Sequence, residues 1–132
     1  MIDTSKYIGI PYLDHGRTTA GVDCWGLVWL IYKNEFDITL PAWSAEYETA
    51  NRAGYRKLKE NSIFFDGWKE VDKPEFGNVG LFEVGGNFHT GLCLDGRLSL
   101  ILHIMKGSNV TTERVDSILW RNRIRGWWAH VG

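Results

Sequence analysis

Three side chains in this sequence could together perform nucleophilic catalysis. Cys24 stands at the start of a helical pattern, and His89 and His103 lie in two apolar stretches. Backbone N–H groups and the dipole at a helix N-terminus stabilise an anion, so we expect this thiol to ionise more readily than a buried one. A cysteine nucleophile also needs a base, usually a histidine that a third polar group orients. Cys24, His89 and His103 are therefore candidate catalytic residues.

Other interpretations of the same residues stay open. Cys24 shares a helical stripe with Leu27 and Ile31, so it could also be a small packing residue. The two histidines could likewise be core residues, each with a hydrogen-bond partner. A zinc site built from the three is formally possible, but the chain has no Cys-x-x-Cys pair and no His-Glu-x-x-His helix. A serine triad has less support, since no Gly-x-Ser-x-Gly turn occurs. We interpret His15 and His130 as incidental.

Length and composition narrow the classes of protein. A chain of 132 residues and 15.1 kDa predicts a single domain, residues 1–132. Fifteen Lys and Arg against sixteen Asp and Glu give a net charge of -1, which argues against nucleic-acid binding. The longest uncharged apolar stretch, Cys24 to Tyr32, has nine residues, and a membrane span needs about 20. The acidic start of the chain does not resemble a signal peptide, so we expect cytoplasmic synthesis and two free thiols, Cys24 and Cys93.

The elements that must position the candidate residues follow from the spacing of apolar side chains. A helix is predicted from Val22 to about Glu35 with Asp23 near its N-terminus, and a second helix from Ser44 to about Glu60. After Pro74 the pattern alternates with a period of two. Strands are predicted at Val79 to Val84, Phe88 to Leu94, Leu98 to Ile104 and Arg123 to Val131. Helices followed by an antiparallel sheet indicate the α+β class.

Five motifs occur in an order that resembles the NlpC-type cysteine peptidases, small papain-like enzymes that cut bacterial cell-wall peptides. The resemblance extends from about Tyr7 to Trp128, and the Gly126-Trp127-Trp128 ending looks closest to the tail-tip proteins of long-tailed phages. The motifs are Tyr12, Asp23-Cys24-Trp25-Gly26-Leu27-Val28, Gly77-Asn78-Val79-Gly80-Leu81-Phe82, His89-Thr90-Gly91-Leu92 and Leu102-His103. The implied fold is α+β and papain-like, with N-terminal helices packed on an antiparallel sheet.

The resemblance also implies roles for individual residues. Cys24 would be the nucleophile, His89 the general base and His103 the residue that orients it. Tyr12 matches the tyrosine whose hydroxyl lies beside the oxyanion. Trp25 stands where a serine usually follows the cysteine and is expected to shape the cleft wall and the substrate pocket. No metal or organic cofactor is implied.

The implied substrate is a peptidoglycan stem peptide, cut at the bond that follows D-glutamate. The expected partners are this peptide and other phage tail-tip proteins, and a particle would carry the protein from the host cytoplasm to the cell wall. Two other functions are compatible with the same residues. One is a non-catalytic structural component of a tail tip, and the other is a thiol acyltransferase or amidase, since hydrolysis and transfer share an acyl-enzyme.

The two histidines can cooperate only if they share one face of the sheet. A two-residue Asp95-Gly96 turn would make paired residue numbers sum to 191 and would place the rings on opposite faces. We therefore predict a three-residue connection or a bulge between Leu94 and Leu98. The predicted sum is then 192, which puts His89 directly across from His103 and Gly91 across from Ile101, with space beside His89 for Cys24. Four side chains should occupy the opposite, core-packed face: Phe88, Leu92, Leu102 and Ile104.

Overall fold

A computed structural model describes residues 2–41 and 67–131 of the chain. A short 3-10 helix at Thr4–Lys6 precedes one α-helix and eight strands in these ranges. The elements are β1 (Arg17–Thr18), β2 (Gly21–Val22), α1 (Cys24–Glu35), β3 (Trp68–Val71), β4 (Val79–Val84), β5 (Asn87–Asp95), β6 (Leu100–His103), β7 (Thr111–Arg114) and β8 (Ile124–His130). The predicted helix from Ser44 to Glu60 lies outside the described residues.

Helix α1 begins at Cys24 because the Asp23 side chain caps it. The Asp23 carboxylate accepts the backbone N–H of Gly26 at 2.7 Å, which satisfies one of the first-turn donors. Gly26 is required here, because a Cβ at this position would lie 2.0 Å from the Gly16 carbonyl oxygen. The helix prediction is confirmed, except that Val22 belongs to β2. No helix in residues 2–41 or 67–131 is long and apolar enough to cross a membrane.

The main sheet has six strands in the order β3-β8-β4-β5-β6-β7, and all neighbouring strands are antiparallel. The predicted α+β class is therefore confirmed. The four predicted strands correspond to β4, β5, β6 and β8, with end residues that differ by up to two positions for three of them. Two strands of this sheet, β3 and β7, were not predicted from the sequence. These are the two edge strands, and their charged residues conceal the alternation that marks a half-buried strand.

The two faces of the sheet are covered differently. Helix α1 packs on the face formed by Leu92, Leu102 and Ile104, where the larger buried cluster lies. A smaller cluster covers the other face and contains Phe82, Ile101, Val115 and Trp120. Leu92, Leu102 and Ile104 thus lie on the core-packed face as predicted, whereas Phe88 is half-buried.

The β5–β6 hairpin is irregular, but its bulge lies between Cys93 and Asp95 and not between Leu94 and Leu98 as predicted, and its register also differs from the predicted one. Leu92 pairs with Leu102 and Cys93 with Ile101, and a bulge follows before Asp95 pairs with Leu100. The numbers of paired residues therefore sum to 194 on this side of the bulge, and the same register places His103 opposite Gly91. The predicted sum of 192 was wrong, and His89 is diagonal to His103. An even sum nevertheless keeps both histidines on one face.

The turn chemistry explains the shifted register. The Asp95 carboxylate accepts the backbone N–H groups of Arg97 at 3.0 Å and Leu98 at 3.4 Å, so the side chain stabilises a wider connection than a two-residue turn. Gly96 is packed against the Pro74 carbonyl, where a Cβ would approach the oxygen to 1.8 Å. Ser99 completes the turn with a left-handed φ of 50°.

Candidate active site

The two histidines form a buried hydrogen-bonded pair. His89 Nε2 and His103 Nδ1 are 2.8 Å apart, and the side chains belong to β5 and β6. His89 is 6% exposed and His103 is 1% exposed. A bond between two ring nitrogens needs one N–H and one lone pair, so each ring is fixed in orientation by the other.

Aromatic rings enclose the histidine pair on the face opposite α1. The Trp120 ring stands edge-on to His103 at a centroid distance of 5.2 Å and lies 5.9 Å from His89. Phe82 lies 6.0 Å from His89. Burial in these apolar surroundings lowers the pKa of His89 to about 3, with a further contribution from His103, and lowers the pKa of His103 to about 4. Both rings are therefore neutral near pH 7.

Cys24 lies at the first position of α1 and reaches β5 beside His89. Its sulfur interacts with the backbone N–H and the hydroxyl of Thr90, which is the residue after His89. It also interacts with the backbone N–H of Trp25. The Thr90 hydroxyl is buried and makes no hydrogen bond of ordinary geometry in the described part of the chain, so it can turn toward a thiolate. Within the same residues no direct hydrogen bond joins Cys24 to His89. Contacts of this kind often tighten only when substrate is bound.

Burial raises the pKa of the Cys24 thiol, and the Asp23 carboxylate raises it further. The N–H groups of Thr90 and Trp25 act in the opposite direction but do not outweigh burial. The expectation of a readily ionised thiol was therefore wrong for the free protein. A neutral thiol beside a neutral histidine pair indicates that any proton transfer from sulfur accompanies attack on the substrate.

Asp23 holds the loop before Cys24 in place. Its buried carboxylate accepts the His15 backbone N–H at 2.8 Å and the Arg17 guanidinium at 3.0 Å, in addition to capping α1. Arg17 belongs to no motif and was not predicted from the sequence. His15, interpreted as incidental, contributes through its backbone, while His130 packs against Trp68 at a ring distance of 4.9 Å.

Tyr12 lies near the thiol, but its hydroxyl has another partner. The phenol donates to Asp14 Oδ1 at 3.0 Å, and burial together with this carboxylate raises the pKa of Tyr12. The hydroxyl is therefore protonated near pH 7 and can donate one hydrogen bond. To stabilise an oxyanion it must turn from Asp14 to the substrate.

Trp25 is a core residue in this structure. Its side chain is 5% exposed, and its indole N–H donates to the Pro41 carbonyl at 2.8 Å. This corrects the expectation that Trp25 forms the cleft wall and the substrate pocket. The side chain following the cysteine points inward because the first turn of α1 buries it in the larger cluster.

Selective alkylation would distinguish the two cysteines. Cys93 is 0% exposed, and burial and Asp95 raise the pKa of its thiol to about 11, whereas Cys24 is half-buried. Iodoacetamide at about pH 8 should therefore modify Cys24 at least about tenfold faster than Cys93, as peptide mapping would measure. Equal rates in the folded protein would contradict an accessible nucleophile at Cys24.

The buried histidines should also make stability depend on pH. Their folded pKa values of about 3 and about 4 lie below the ordinary 6.5, so the unfolded chain binds protons that the folded chain does not. The free energy of unfolding should be greatest above about pH 6.5 and should fall by up to about 1.4 kcal/mol per pH unit for each histidine as the pH decreases toward 4. Urea unfolding at several pH values measures this slope.

A His89→Gln variant should show a shallower slope, because one of the two buried titrating groups is gone. Identical pH dependence in the wild type and the His89→Gln variant would contradict the burial of a neutral His89.

The described residues contain no group of three or more His, Cys, Asp or Glu side chains placed to hold one metal ion. Cys24, His89 and His103 thus do not form a common ligand set in this geometry. Proton transfer between a thiol and ring nitrogens remains the role predicted for these three residues.

A cysteine at a helix N-terminus, packed on a sheet that carries a buried histidine pair, places this α+β domain in the class of papain-like folds. Residues 9–129 match the NlpC/P60 family, and the chain belongs to that family. Members of the family are cysteine peptidases that hydrolyse peptidoglycan.

Among curated proteins, the chain is similar to the gamma-DL-glutamyl hydrolase of Bacillus subtilis strain 168. The two are 24% identical over 127 residues, which cover 94% of this chain and 27% of the relative. The chain therefore spans about a quarter of the length of this curated relative.

Solved structures share the fold. The NlpC/p60 domain of the peptidoglycan hydrolase SagA has a TM-score of 0.62 and 22% identity, with 96% of this chain and 92% of that chain covered. A lipoprotein-like NLP/P60 family protein from Staphylococcus aureus has a TM-score of 0.65 and 20% identity, with 96% of this chain and 38% of that chain covered. An NlpC/P60 family protein from Bacillus cereus has a TM-score of 0.64 and 18% identity, with 96% of this chain and 37% of that chain covered.

Proposed function

We propose that this protein is a cysteine endopeptidase that hydrolyses the amide bond following D-glutamate in peptidoglycan stem peptides. The observation that carries the proposal is the buried His89–His103 pair next to the strand position that contacts Cys24. Family membership supports a peptidoglycan substrate. The name of the Bacillus subtilis relative, a gamma-DL-glutamyl hydrolase, supports a γ-glutamyl bond.

In the proposed reaction, His89 Nδ1 accepts the Cys24 proton while the sulfur attacks the carbonyl carbon of D-glutamate. His103 accepts the His89 Nε2–H and keeps the ring in the orientation that this transfer needs. The backbone N–H of Cys24 and the Tyr12 hydroxyl donate to the oxyanion. The loss of one such donor typically raises the barrier by about 3 kcal/mol.

The protonated His89 then gives its proton to the leaving amine, and the C–N bond breaks to leave a thioester on Cys24. Water attacks the thioester as His89 accepts its proton, and the thiolate leaves and regains a proton. The net reaction consumes one water and releases a carboxylate and an amine. The same thioester can pass its acyl group to another amine, which is the acyltransferase alternative.

Synthetic peptides test this assignment. The protein should convert L-Ala-γ-D-Glu-L-Lys to the dipeptide and free lysine, as liquid chromatography with mass spectrometry would show. The isomer with an ordinary α-linked L-Glu should remain intact. Cleavage of both isomers, or of the α-linked one alone, would contradict a γ-D-glutamyl specificity.

We further propose that the protein acts in the tail tip of a long-tailed phage, where it aids penetration of the cell wall or tail assembly. The support is the resemblance of the Gly126-Trp127-Trp128 ending to the corresponding phage proteins. Proteomics of purified virions should then find the protein in the tail fraction. Its absence from particles that assemble in cells producing it would contradict this localisation.

A further inference from the structure

Glu113 lies next to the histidine pair and has no role in the reaction described so far. Glu113 on β7 pairs with Ile101 on β6. Because Ile101 is two residues before His103, the Glu113 side chain lies on the same face of the sheet as the His103 ring. Glu113 Oε1 is 3.8 Å from His103 Nε2. The carboxylate thus lies against the ring nitrogen that does not contact His89.

The bond between the two rings can exist in two neutral forms. In the first, His89 Nε2–H donates to His103 Nδ1, so His89 keeps a lone pair on Nδ1 and His103 carries its proton on Nε2. In the second, His103 Nδ1–H donates to His89 Nε2, and the His89 proton is on Nδ1. Only the first form lets His89 accept a proton from Cys24.

The charge of Glu113 distinguishes these two forms. In the first form an N–H dipole points from His103 Nε2 toward a carboxylate, which is favourable. In the second form a ring lone pair faces the carboxylate, which is repulsive. The distance of 3.8 Å exceeds that of an ordinary hydrogen bond, so Glu113 acts through its charge.

We propose that Glu113 is a positioning residue that acts through His103 and selects the tautomer in which His89 can accept the Cys24 proton. This proposal rests on the proposed peptidase function and deepens it. The effect is moderate, because the Glu113 side chain is 39% exposed and water screens its charge.

Several groups face the His103 ring from the elements around it. His89 contributes from β5 and Glu113 from β7, while Trp120 comes from the loop between β7 and β8 with the Arg123 guanidinium 5.5 Å from its ring centre. At the next position of β5 after His89, Cys24 contacts Thr90. Glu113 is the acidic group in contact with His103 among the described residues, so its removal should shift the protonation of the pair.

Nitrogen NMR of the histidine rings tests the proposal without any substrate. The wild type should show both His89 and His103 protonated at Nε2. Glu113→Gln removes the charge but keeps an oxygen acceptor and the side-chain length, and Glu113→Ala removes both. We expect the Nδ1–H form of His89 to increase moderately and to a similar extent in both variants, because both remove the charge of Glu113.

Kinetics supply the second readout. The kcat for stem-peptide hydrolysis should fall by about tenfold in both Glu113→Ala and Glu113→Gln, with KM within about twofold, because the residue affects proton transfer and not substrate binding. The acidic limb of the pH–rate profile should move to lower pH in both variants, since the carboxylate no longer favours a protonated histidine pair. Asp116→Asn is the matched control, as it removes an exposed carboxylate whose partner is Arg114.

Unchanged tautomers and an unchanged pH profile in Glu113→Ala would overturn the proposal, even if the variant were less stable. Equal effects of Asp116→Asn would also overturn it, because they would indicate a general charge effect. If the wild type cleaves no stem peptide, the proposed function fails. The NMR spectra and the pH dependence of Cys24 alkylation then still decide the role of Glu113.

Discussion

Replacement of Cys24 by alanine should lower the rate of stem-peptide hydrolysis by at least about 10⁴-fold, because no other group can form the thioester. The sulfur lies at the first position of α1 and contacts Thr90, next to the histidine pair. Alanine removes this atom while it keeps the helix and its Asp23 cap. Product formation followed by chromatography and mass spectrometry measures the loss.

Cys93→Ala is the matched control for this experiment. Cys93 is a fully buried thiol on β5, and its pKa of about 11 makes it a poor nucleophile. The variant should therefore keep its kcat, although the lost sulfur leaves a small cavity and lowers stability. Continued peptide cleavage by Cys24→Ala would show that the proposed mechanism is wrong.

Replacement of His89 should have an effect similar to that of Cys24→Ala, whereas His103 should tolerate a conservative change. His89→Ala removes the proton acceptor, and we expect a loss of about 10⁴-fold. His89 Nε2 and His103 Nδ1 are 2.8 Å apart, and in the proposed tautomer His89 is the donor. In His103→Gln or His103→Asn an amide oxygen can still accept this His89 Nε2–H. These variants should remain at least about tenfold more active than His89→Ala.

Steady-state kinetics would measure this order of activities, with circular dichroism as a control for folding. The variants to compare are Cys24→Ala, His89→Ala, His103→Gln and His103→Asn. An equal loss in His89→Ala and His103→Gln would contradict the separate roles of base and orienting residue. The zinc alternative also predicts equal losses, but together with release of metal. A stoichiometric zinc signal in the purified wild type would therefore overturn the peptidase assignment.

The start of α1 could be predicted from sequence because its determinants are local. Asp23 has a side chain suited to capping, and it precedes a stripe of apolar residues with helical spacing. That the two histidines share one face of the sheet was also predictable. Side chains alternate along a strand, so both rings lie on one face only when the numbers of paired residues have an even sum.

The register itself depends on contacts that sequence spacing does not encode. The Asp95 side chain caps a wider turn, and Gly96 packs against Pro74, which is distant in sequence. The space at Gly91 was expected to admit Cys24. The Ile101 Cδ1 and His103 Cβ atoms occupy it instead, and a Cβ at Gly91 would lie 2.8 Å and 3.4 Å from them.

The electrostatics of the site could not be predicted because burial is a property of the whole fold. The helix N-terminus indicated a low thiol pKa, but desolvation of Cys24 reverses the direction. Glu113 likewise belongs to no motif. It meets His103 only because β7 pairs with β6 at the sheet edge, and the sequence analysis missed that strand.

Detection of an acyl group on Cys24 is the most direct test of the central claim that this thiol is the nucleophile of a γ-D-glutamyl peptidase. The protein would be mixed with a p-nitrophenyl ester of L-Ala-γ-D-Glu activated at the γ-carboxyl, quenched in acid and analysed by intact-protein and peptide mass spectrometry. We predict a burst of one p-nitrophenol per chain and a dipeptidyl thioester that maps to Cys24 and is absent from Cys24→Ala. A burst that persists in Cys24→Ala, or an acyl group that maps to another residue, would contradict the account.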